Sequence, residues 1–292
     1  EPLGKIIASG MANAFAKYYE MLFARKTSHS ASRESALKTL RTGKKVLEPT
    51  KAKLGASVGT EEIAHVSDHL PTGKSPGPDR IPTKFYKTFS KFVSPILAEV
   101  FNEARDVTGT LPQSQKEGII SVLYKKKHRE DPRNYRPITL LNADYKILMR
   151  ILATRMIDAV SQFVTDDQNG FVPNGFIAEN TMRLKMLQSL IEEEDSEAIF
   201  LFLDCEKAFD RCSWDFLIAG LEALNFGDDF IKYVKLAYDE NAPPSRRMYV
   251  NGHLSDSFNI LSGVAQGCPL SPLLFLFFPQ THYSPVGSIS PP

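Results

Sequence analysis

The feature that most constrains the fold is a run of six apolar residues, AIFLFL at residues 198–203, that ends abruptly at Asp204. A continuous apolar run of this length is typical of a β-strand that is buried on both faces. We therefore predict a central strand over residues 198–203. Because a buried strand fixes the residue at its end, Asp204 is a candidate functional carboxylate. The residues alone leave open whether Asp204 instead caps the helix predicted near Ser213 or starts a turn.

Helical and strand patterns alternate along the rest of the chain, which predicts an α+β or α/β order. Apolar residues three and four apart predict helices over residues 6–24, 84–104, 141–164, 180–194 and 230–238. A β-branched run predicts a strand over residues 118–124. Asn251 and Gly252 lie between two alternating stretches and predict a hairpin over residues 247–260.

Three segments lack such periodicity. Residues 26–57 are rich in Ser, Thr and Lys, and we predict a loosely ordered basic linker there. The density of Pro and Gly over residues 71–82 predicts an irregular loop. The Ser- and Pro-rich residues 279–292 are predicted to be disordered.

The composition limits the functions that are open to the chain. With 42% apolar residues among 292, it can bury a core, and its net charge of +1 restricts any contact with nucleic acid to local patches. Three scattered cysteines do not make a disulfide framework or a zinc cage, which indicates a reducing compartment. We expect no leader, because no charged region followed by an apolar core opens the sequence, and no apolar run is long enough to span a bilayer. We expect a soluble protein of the nucleus or cytoplasm that does not contact a membrane.

One such local patch lies between residues 116 and 136, which include seven Lys or Arg and three Asp or Glu and so carry a net charge of +4. Lys125, Lys126 and Lys127 follow the predicted strand directly, so the strand delivers cations at its tip. This charge is consistent with binding phosphates. A solvated basic face is the alternative, and the residues alone favour it.

Five motifs in order carry a resemblance to a known family. The sequence FLDCEKAFDRCSWDFL at residues 202–217 resembles the first palm motif of LINE-type (non-LTR) reverse transcriptases. Four further stretches resemble motifs of the same family: KSPGPDRIPTKFY at residues 74–86, NYRPITLLNADYKIL at 134–148, DQNGFVPNGFIAEN at 167–180 and SGVAQGCPLSPLLF at 262–275. The resemblance covers about residues 60–275 and is specific because the five motifs keep the family's order.

The resemblance implies a right-hand polymerase fold of the α+β class, with fingers, an incomplete palm, an antiparallel palm sheet and packed helices. Asp204 would be a catalytic, metal-binding carboxylate that Mg²⁺ ions share, and the main-chain oxygen of Cys205 would be a further ligand. Phe209 would exclude a 2′-hydroxyl by steric contact. The residues alone favour a core aromatic at Phe209.

The resemblance also implies a set of nucleotide contacts. Lys125 and Arg136 would grip the triphosphate, for which a guanidinium offers a planar fork of donors; the choice among Lys125, Lys126 and Lys127 stays open. Gln266 and Gly267 would lie against the nascent base pair, where glycine permits close approach. A glycine turn that leads into a helix is the alternative there, and both descriptions can hold together.

The chain departs from the family pattern in three places. Ala265 stands where the family commonly has Arg, and Phe176 stands where Arg often follows a glycine. The family's Ala-Asp-Asp segment is absent, since no Asp or Glu follows Asp256. We therefore expect a truncated chain in which two of three metal-binding carboxylates are missing, with no polymerase activity alone and poor solubility.

These observations predict four regions and one function. We expect an amino-terminal helix and basic linker at residues 1–59, a fingers-like region at 60–197, a partial palm at 198–276 and an unrelated tail at 277–292. The function is that of a reverse transcriptase domain, with an RNA template, a DNA primer and deoxynucleoside triphosphates as partners. The alternative is a non-catalytic fragment that binds nucleic acid or a partner through its basic fingers.

Overall fold

The computed structural model of this chain describes residues 3–25, 30–276 and 278. Its helices are α1 (Leu3–Leu22), α2 (Ser30–Thr42), α3 (Glu48–Gly55), α4 (Thr60–Asp68), α5 (Thr83–Thr88), α6 (Ser90–Glu103), α7 (Gln113–Lys116), α8 (Ala143–Ile157), α9 (Val160–Phe163), α10 (Ala178–Glu193), α11 (Trp214–Ala223), α12 (Asp228–Lys235) and α13 (Ser271–Phe275). Its strands are β1 (Gly118–Tyr124), β2 (Tyr135–Leu141), β3 (Ser245–Val250), β4 (His253–Leu254) and β5 (Phe258–Asn259). The architecture is therefore α+β, as predicted.

The strands form one small sheet in the order β2-β1-β3-β4, with β5 also paired to β3. β1 and β2 are antiparallel, whereas β1 and β3 are parallel. The expected antiparallel sheet is therefore wrong in part, and the sheet is mixed. β1 and β3 can be parallel because a long stretch of chain connects them: it passes through β2 and then several helices, and adjacent parallel strands require a long connection.

The hairpin predicted at Asn251 and Gly252 is confirmed. β3 and β4 pair across this turn, and both turn residues have positive φ, 50° and 83°. A two-residue turn of this hand fits the twist of the strands it joins, and Asn and Gly are the residues that tolerate it. α1 packs across β3, β4 and β5 and covers this end of the sheet.

The helix predicted over residues 141–164 is mostly confirmed as α8 and α9, with a break at residues 158–159. α8 is the central helix of the core, because nine of its 15 residues are buried. The helices predicted over residues 6–24, 180–194 and 230–238 are confirmed by α1, α10 and α12. The pattern over residues 84–104 is divided between α5 and α6, which meet at Phe89.

The prediction of a loosely ordered linker over residues 26–57 is wrong for most of its length, since α2 and α3 occupy it. Leu37, Leu40 and Leu54 are buried, so a few apolar residues dock these basic helices. The turn after α3 is fixed by arginines from elsewhere in the chain: Arg105 donates to the Gly55 carbonyl, and Arg155 donates to the carbonyls of residues 54, 56 and 57. These contacts lie far apart in sequence and leave no periodic signal.

The prediction of a buried strand over residues 198–203 is also wrong. The segment has no strand pairing among the described residues, and Ile199, Leu201 and Leu203 are 97%, 78% and 80% exposed. An apolar run becomes a strand only where neighbouring strands satisfy its N–H and C=O groups. The preceding helix, α10, contains no buried residue either.

The tail at residues 279–292, for which the sequence predicts disorder, lies outside the described residues. Among the described helices, none combines the length and the apolar character that a membrane crossing requires.

Candidate functional site

A cavity of about 830 Å³ opens beside the sheet and is bounded by three separated parts of the sequence, residues 125–138, 204–210 and 265–272, together with Phe171. Every site residue that the sequence singled out lines this cavity: Lys125, Arg136, Asp204, Cys205, Phe209, Gln266 and Gly267. The structure therefore brings all seven together. The cavity has the size of an ordinary small-molecule site.

The β1–β2 hairpin supplies the basic wall. Lys125 follows the last residue of β1, and its amide donates to the Asn134 carbonyl at 2.9 Å. Arg136 lies opposite Leu123 in the same ladder. The two cations thus lie at the tip of the hairpin, where the loop joins β1 to β2, and both residues are exposed. Lys126 and Lys127 line the same wall.

The basic patch is narrower than its sequence suggests. Lys116 is only 3% exposed, and its ammonium donates to the Thr110 hydroxyl and the Ala242 carbonyl, away from the cavity. Arg133 lines the cavity but is paired with Asp131 at 2.8 Å. The cations without an ion-pair partner among the described residues of this wall are Lys125, Lys126, Lys127 and Arg136.

Asp204 is exposed and follows the unpaired segment 198–203 directly. It does not cap the next helix, because the Ser213 hydroxyl accepts from the Phe216 amide and so caps α11. Cys205 and Glu206 are exposed beside it, and Glu206 lies 3.6 Å from Arg211.

The side chains around Asp204 fit a metal ion only in part. Mg²⁺ needs several oxygen ligands in near-octahedral geometry. No group of three His, Cys, Asp or Glu residues in the described part of the chain lies close enough together to hold a metal ion. The described residues therefore do not form a complete metal site, and the expected ligands, Asp204 and the main chain of Cys205, would be only part of a ligand set.

Phe209 borders the cavity and packs against the core at the same time. Its ring lines the cavity, and it also stacks on Phe275 with ring centres 4.7 Å apart. Phe171 meets it edge-on at 5.8 Å. The ring is half-buried, so both descriptions of this residue, a core aromatic and a wall of the cavity, hold.

Gln266 and Gly267 are held against the edge of β2. The Thr139 amide donates to the Gln266 carbonyl at 2.7 Å, which extends the sheet edge by one bond. Gly267 has a φ of 126°, and a Cβ added there would lie 2.5 Å from the Thr139 carbonyl oxygen. Glycine is therefore required at this position for the segment to approach β2.

Sequence reasoning assigned no role to two further residues of the cavity walls, Lys207 and Asp210, or to Tyr19, which contacts the same main-chain oxygen as Lys207. Lys207 lines the cavity and donates to the Tyr135 carbonyl at 2.6 Å, and the Tyr19 hydroxyl of α1 donates to the same oxygen at 3.1 Å. Burial lowers the pKa of Lys207 and raises that of Tyr19. Asp210 accepts from the Gln266 side chain at 2.9 Å. These contacts join residues far apart in sequence, so no local signal could have found them.

Comparison with known proteins gives the family of this chain. Residues 124–287 match the family model for reverse transcriptase (RNA-dependent DNA polymerase). This match spans more than half of the chain, and the chain belongs to the reverse transcriptase family. Members of this family generally use divalent metal ions.

Similar proteins show which branch of the reverse transcriptase family the chain resembles. The chain is 32% identical over 230 residues to the Transposon TX1 uncharacterized 149 kDa protein of Xenopus laevis, which is 79% of this chain and 17% of that protein. It is 30% identical over 277 residues to a probable RNA-directed DNA polymerase from transposon BS of Drosophila melanogaster. The aligned residues cover 91% of this chain and 29% of that protein. A third relative is the Pol polyprotein of the type-2 retrotransposable element R2DM of Drosophila melanogaster, 28% identical over 69% of this chain and 18% of that protein.

These relatives confirm the resemblance drawn from the five motifs: this is a reverse transcriptase domain of the non-LTR retrotransposon type. The chain spans less than a third of the length of each of the three relatives.

Proposed function

We propose that the cavity binds a deoxynucleoside triphosphate beside the end of a DNA primer paired to an RNA template, as part of the site of an RNA-directed DNA polymerase. The observation that carries this proposal is the convergence of the basic hairpin tip, the Asp204 turn and the Gln266 segment on one cavity. Each wall offers the chemistry that one part of a nucleotide requires.

The phosphates are assigned to the basic wall. Lys125 and Arg136 are exposed, have no ion-pair partner among the described residues and border the cavity. Cations in this state are free to bind a polyanion. An arginine fork and a lysine point charge are both common in phosphate sites.

The sugar and base are assigned to the walls that Phe209 and the Gln266 segment form. Phe209 presents part of an aromatic ring that Phe275 holds in place, which suits a steric contact with the sugar. Gln266 and Gly267 lie against the edge of β2, and the missing side chain of Gly267 suits close approach of a base pair.

Mg²⁺ is the proposed metal, with the Asp204 carboxylate and the main-chain oxygen of Cys205 as two of its ligands. Oxygen ligands of this kind match its chemistry. The described residues supply only this part of the ligand set. We therefore further propose that this chain alone does not extend a primer.

In the same proposal, residues 60–197 form a fingers-like region and residues 198–276 form part of a palm. The region before them, expected as one helix and a linker, holds three helices instead. The unrelated tail expected at residues 277–292 lies outside the described residues except for Phe278.

The test is nucleotide binding, measured as the Kd of a fluorescent deoxynucleoside triphosphate with Mg²⁺. The double variant Lys125→Ala, Arg136→Ala removes two charge-assisted contacts, and we expect its affinity to fall at least roughly 10-fold. The matched control is Lys91→Ala, Arg150→Ala, which removes the same charge from exposed positions outside the cavity. Equal loss in both variants would contradict the proposed site.

Primer extension on an RNA template with Mg²⁺ or Mn²⁺ tests the catalytic part. We expect no templated synthesis by this chain alone. Synthesis that Asp204→Ala abolishes would overturn that expectation and would support a complete polymerase.

A second function has one observation in its favour: three consecutive exposed lysines, Lys125, Lys126 and Lys127, at a hairpin tip. They suit a non-catalytic contact with nucleic acid. In that case salt-sensitive RNA binding survives Asp204→Ala and falls when Lys125 and Arg136 are changed together, while nucleotide binding is absent.

A further inference from the structure

Asp210 is a carboxylate for which the nucleotide contacts assigned above leave no role. Its side chain is 1% exposed, and it is the only Asp or Glu that is buried in the part of the chain that the structure describes. It lies in the short turn Phe209–Arg211 and borders the cavity. A buried carboxylate is costly unless it is paired, so its presence requires a reason.

The surroundings of Asp210 pair it only in part. Its Oδ1 accepts a hydrogen bond from Gln266 Nε2 at 2.9 Å, while its Oδ2 has no partner among the described residues. Two cations lie near it in sequence, but Lys207 donates instead to the Tyr135 carbonyl, and Arg211 lies 3.6 Å from Glu206. Burial raises the pKa of Asp210 to about 6, against the lowering effects of Gln266, Lys207 and Arg211. At neutral pH the carboxylate is therefore mostly ionised, and Gln266 is the side chain that donates a hydrogen bond to it.

The fold does not need this side-chain hydrogen bond to join the two segments. The main chain already joins them: the Val264 amide donates to the Phe209 carbonyl at 2.8 Å, and the Gly263 amide donates to the Cys212 carbonyl at 2.7 Å. The Trp214 indole also donates to the Gly263 carbonyl at 2.8 Å. The Asp210 carboxylate acts on the side chain of Gln266, whose main chain is held separately by Thr139.

An ionised carboxylate accepts hydrogen bonds and donates none, so it must face the amide nitrogen of Gln266 and not the amide oxygen. This contact fixes the carboxamide in one of its two orientations. It leaves Oε1 and the second Nε2 hydrogen available, and no described residue bonds to that Oε1.

We propose that Asp210 is a positioning residue that orients the Gln266 carboxamide, so that Gln266 presents its oxygen as a fixed acceptor to a nucleotide in the cavity. This inference rests on the proposed function, because the ligand it concerns is the nucleotide assigned to the same cavity. Asp210 itself touches no ligand in this scheme, and its effect passes through Gln266.

The test is a double-mutant cycle on the Kd of a fluorescent deoxynucleoside triphosphate with Mg²⁺ at about pH 7.5. We expect Gln266→Ala and Asp210→Ala each to weaken binding by roughly 3- to 10-fold, the scale of one hydrogen bond. In the Gln266→Ala background, Asp210→Ala should add nothing, since its target is gone. Asp210→Asn should restore most of the affinity, because its amide oxygen still accepts from Nε2.

Additive losses, or an Asp210→Ala variant that binds as tightly as the wild type, would overturn the proposal. A change in fold is detected by comparing the melting temperatures of the wild type and the variants. The rescue by Asn also separates positioning from a general need for charge.

If no nucleotide binds, the proposed function is wrong, and the orientation of Gln266 by Asp210 is then tested by a second measurement, nuclear magnetic resonance of the Gln266 side chain. The side-chain amide resonances of Gln266 should be shifted and slow to exchange in the wild type and in Asp210→Asn. They should move to the position of a free glutamine in Asp210→Ala. An unchanged Gln266 amide in Asp210→Ala would refute the orientation directly.

Discussion

Two apolar runs of nearly equal length have opposite fates in this molecule. GIISVLY becomes β1 over the residues predicted, Gly118–Tyr124, whereas AIFLFL at residues 198–203 forms no strand. β1 has β2 on one side and β3 on the other, so its main-chain groups are bonded within the sheet. The second run has no such neighbour among the described residues. The comparison teaches that apolar sequence permits a strand, while pairing partners create it.

The same contrast extends to the elements around each run. Around β1 and β2, hydrogen bonds connect segments that are distant in sequence, such as the bond from the Thr139 amide to the Gln266 carbonyl. Before residues 198–203, by contrast, the helix α10 exposes Met182, Met186 and Leu190. Stability should therefore be concentrated in the first region and nearly absent from the second.

The largest expected effect comes from core deletion in β1. Ile120 is 1% exposed, and Ile120→Ala should lower the free energy of unfolding by about 2–5 kcal/mol, because it removes buried methyl groups and leaves a cavity. The matched change Leu201→Ala, at a 78% exposed position, should cost less than about 0.5 kcal/mol. Urea unfolding of both variants measures the difference. Equal losses would mean that residues 198–203 are packed.

How far the sequence predicts this fold depends on the range of the interactions. β1, α8 and the Asn251-Gly252 hairpin are predictable because their signals are local: periodicity, β-branching and turn chemistry. β2 was missed because Arg136 and Pro137 interrupt its apolar pattern; the proline is tolerated because β2 is an edge strand of the sheet.

The candidate site divides in the same way. The seven predicted site residues were found through motifs, and they do meet at one cavity. The contact between Asp210 and Gln266 could not be predicted, because it joins residues 56 positions apart through side chains alone. Segments 30–42 and 48–55 were also missed as helices, since distant arginines and a few buried leucines hold that region in place.

The second prediction concerns pH and the packed region. Burial raises the pKa of Asp210 to about 6 from an ordinary value near 3.8, so the native state holds this proton more tightly than the unfolded state. Its contribution to stability is therefore full below about pH 4 and is lost as pH rises through about 6, by up to about 3 kcal/mol at about 1.4 kcal/mol per pKa unit. Asp210→Asn should remove this dependence. The measurement is the free energy of unfolding of both proteins at about pH 4.5 and about pH 7.5. Parallel profiles would show that Asp210 is solvated.

The third prediction tests the close contact between the Gln266 segment and the edge of β2. Gly267→Ala places a Cβ 2.5 Å from the Thr139 carbonyl oxygen at a φ of 126°, and it should cost about 1–3 kcal/mol. Gly59→Ala is the control, because Gly59 has a φ of −88° and open space around it. Thermal unfolding compares the two. A Gly267→Ala protein as stable as the control would show that the segment can leave the sheet edge at little cost.

The smallest effect on stability belongs to the unpaired run itself. Leu201→Ser combined with Leu203→Ser should change the free energy of unfolding by less than about 0.5 kcal/mol, since both side chains are already exposed. The same change should reduce self-association, which a contiguous exposed apolar surface promotes. Light scattering measures the association.

Amide hydrogen exchange tests the same comparison independently. Residues 199–203 should exchange freely, while residues 119–123 of β1 should be protected. Protection of residues 199–203 in the monomer would mean that a pairing partner exists, and the two apolar runs would then differ in degree and not in kind.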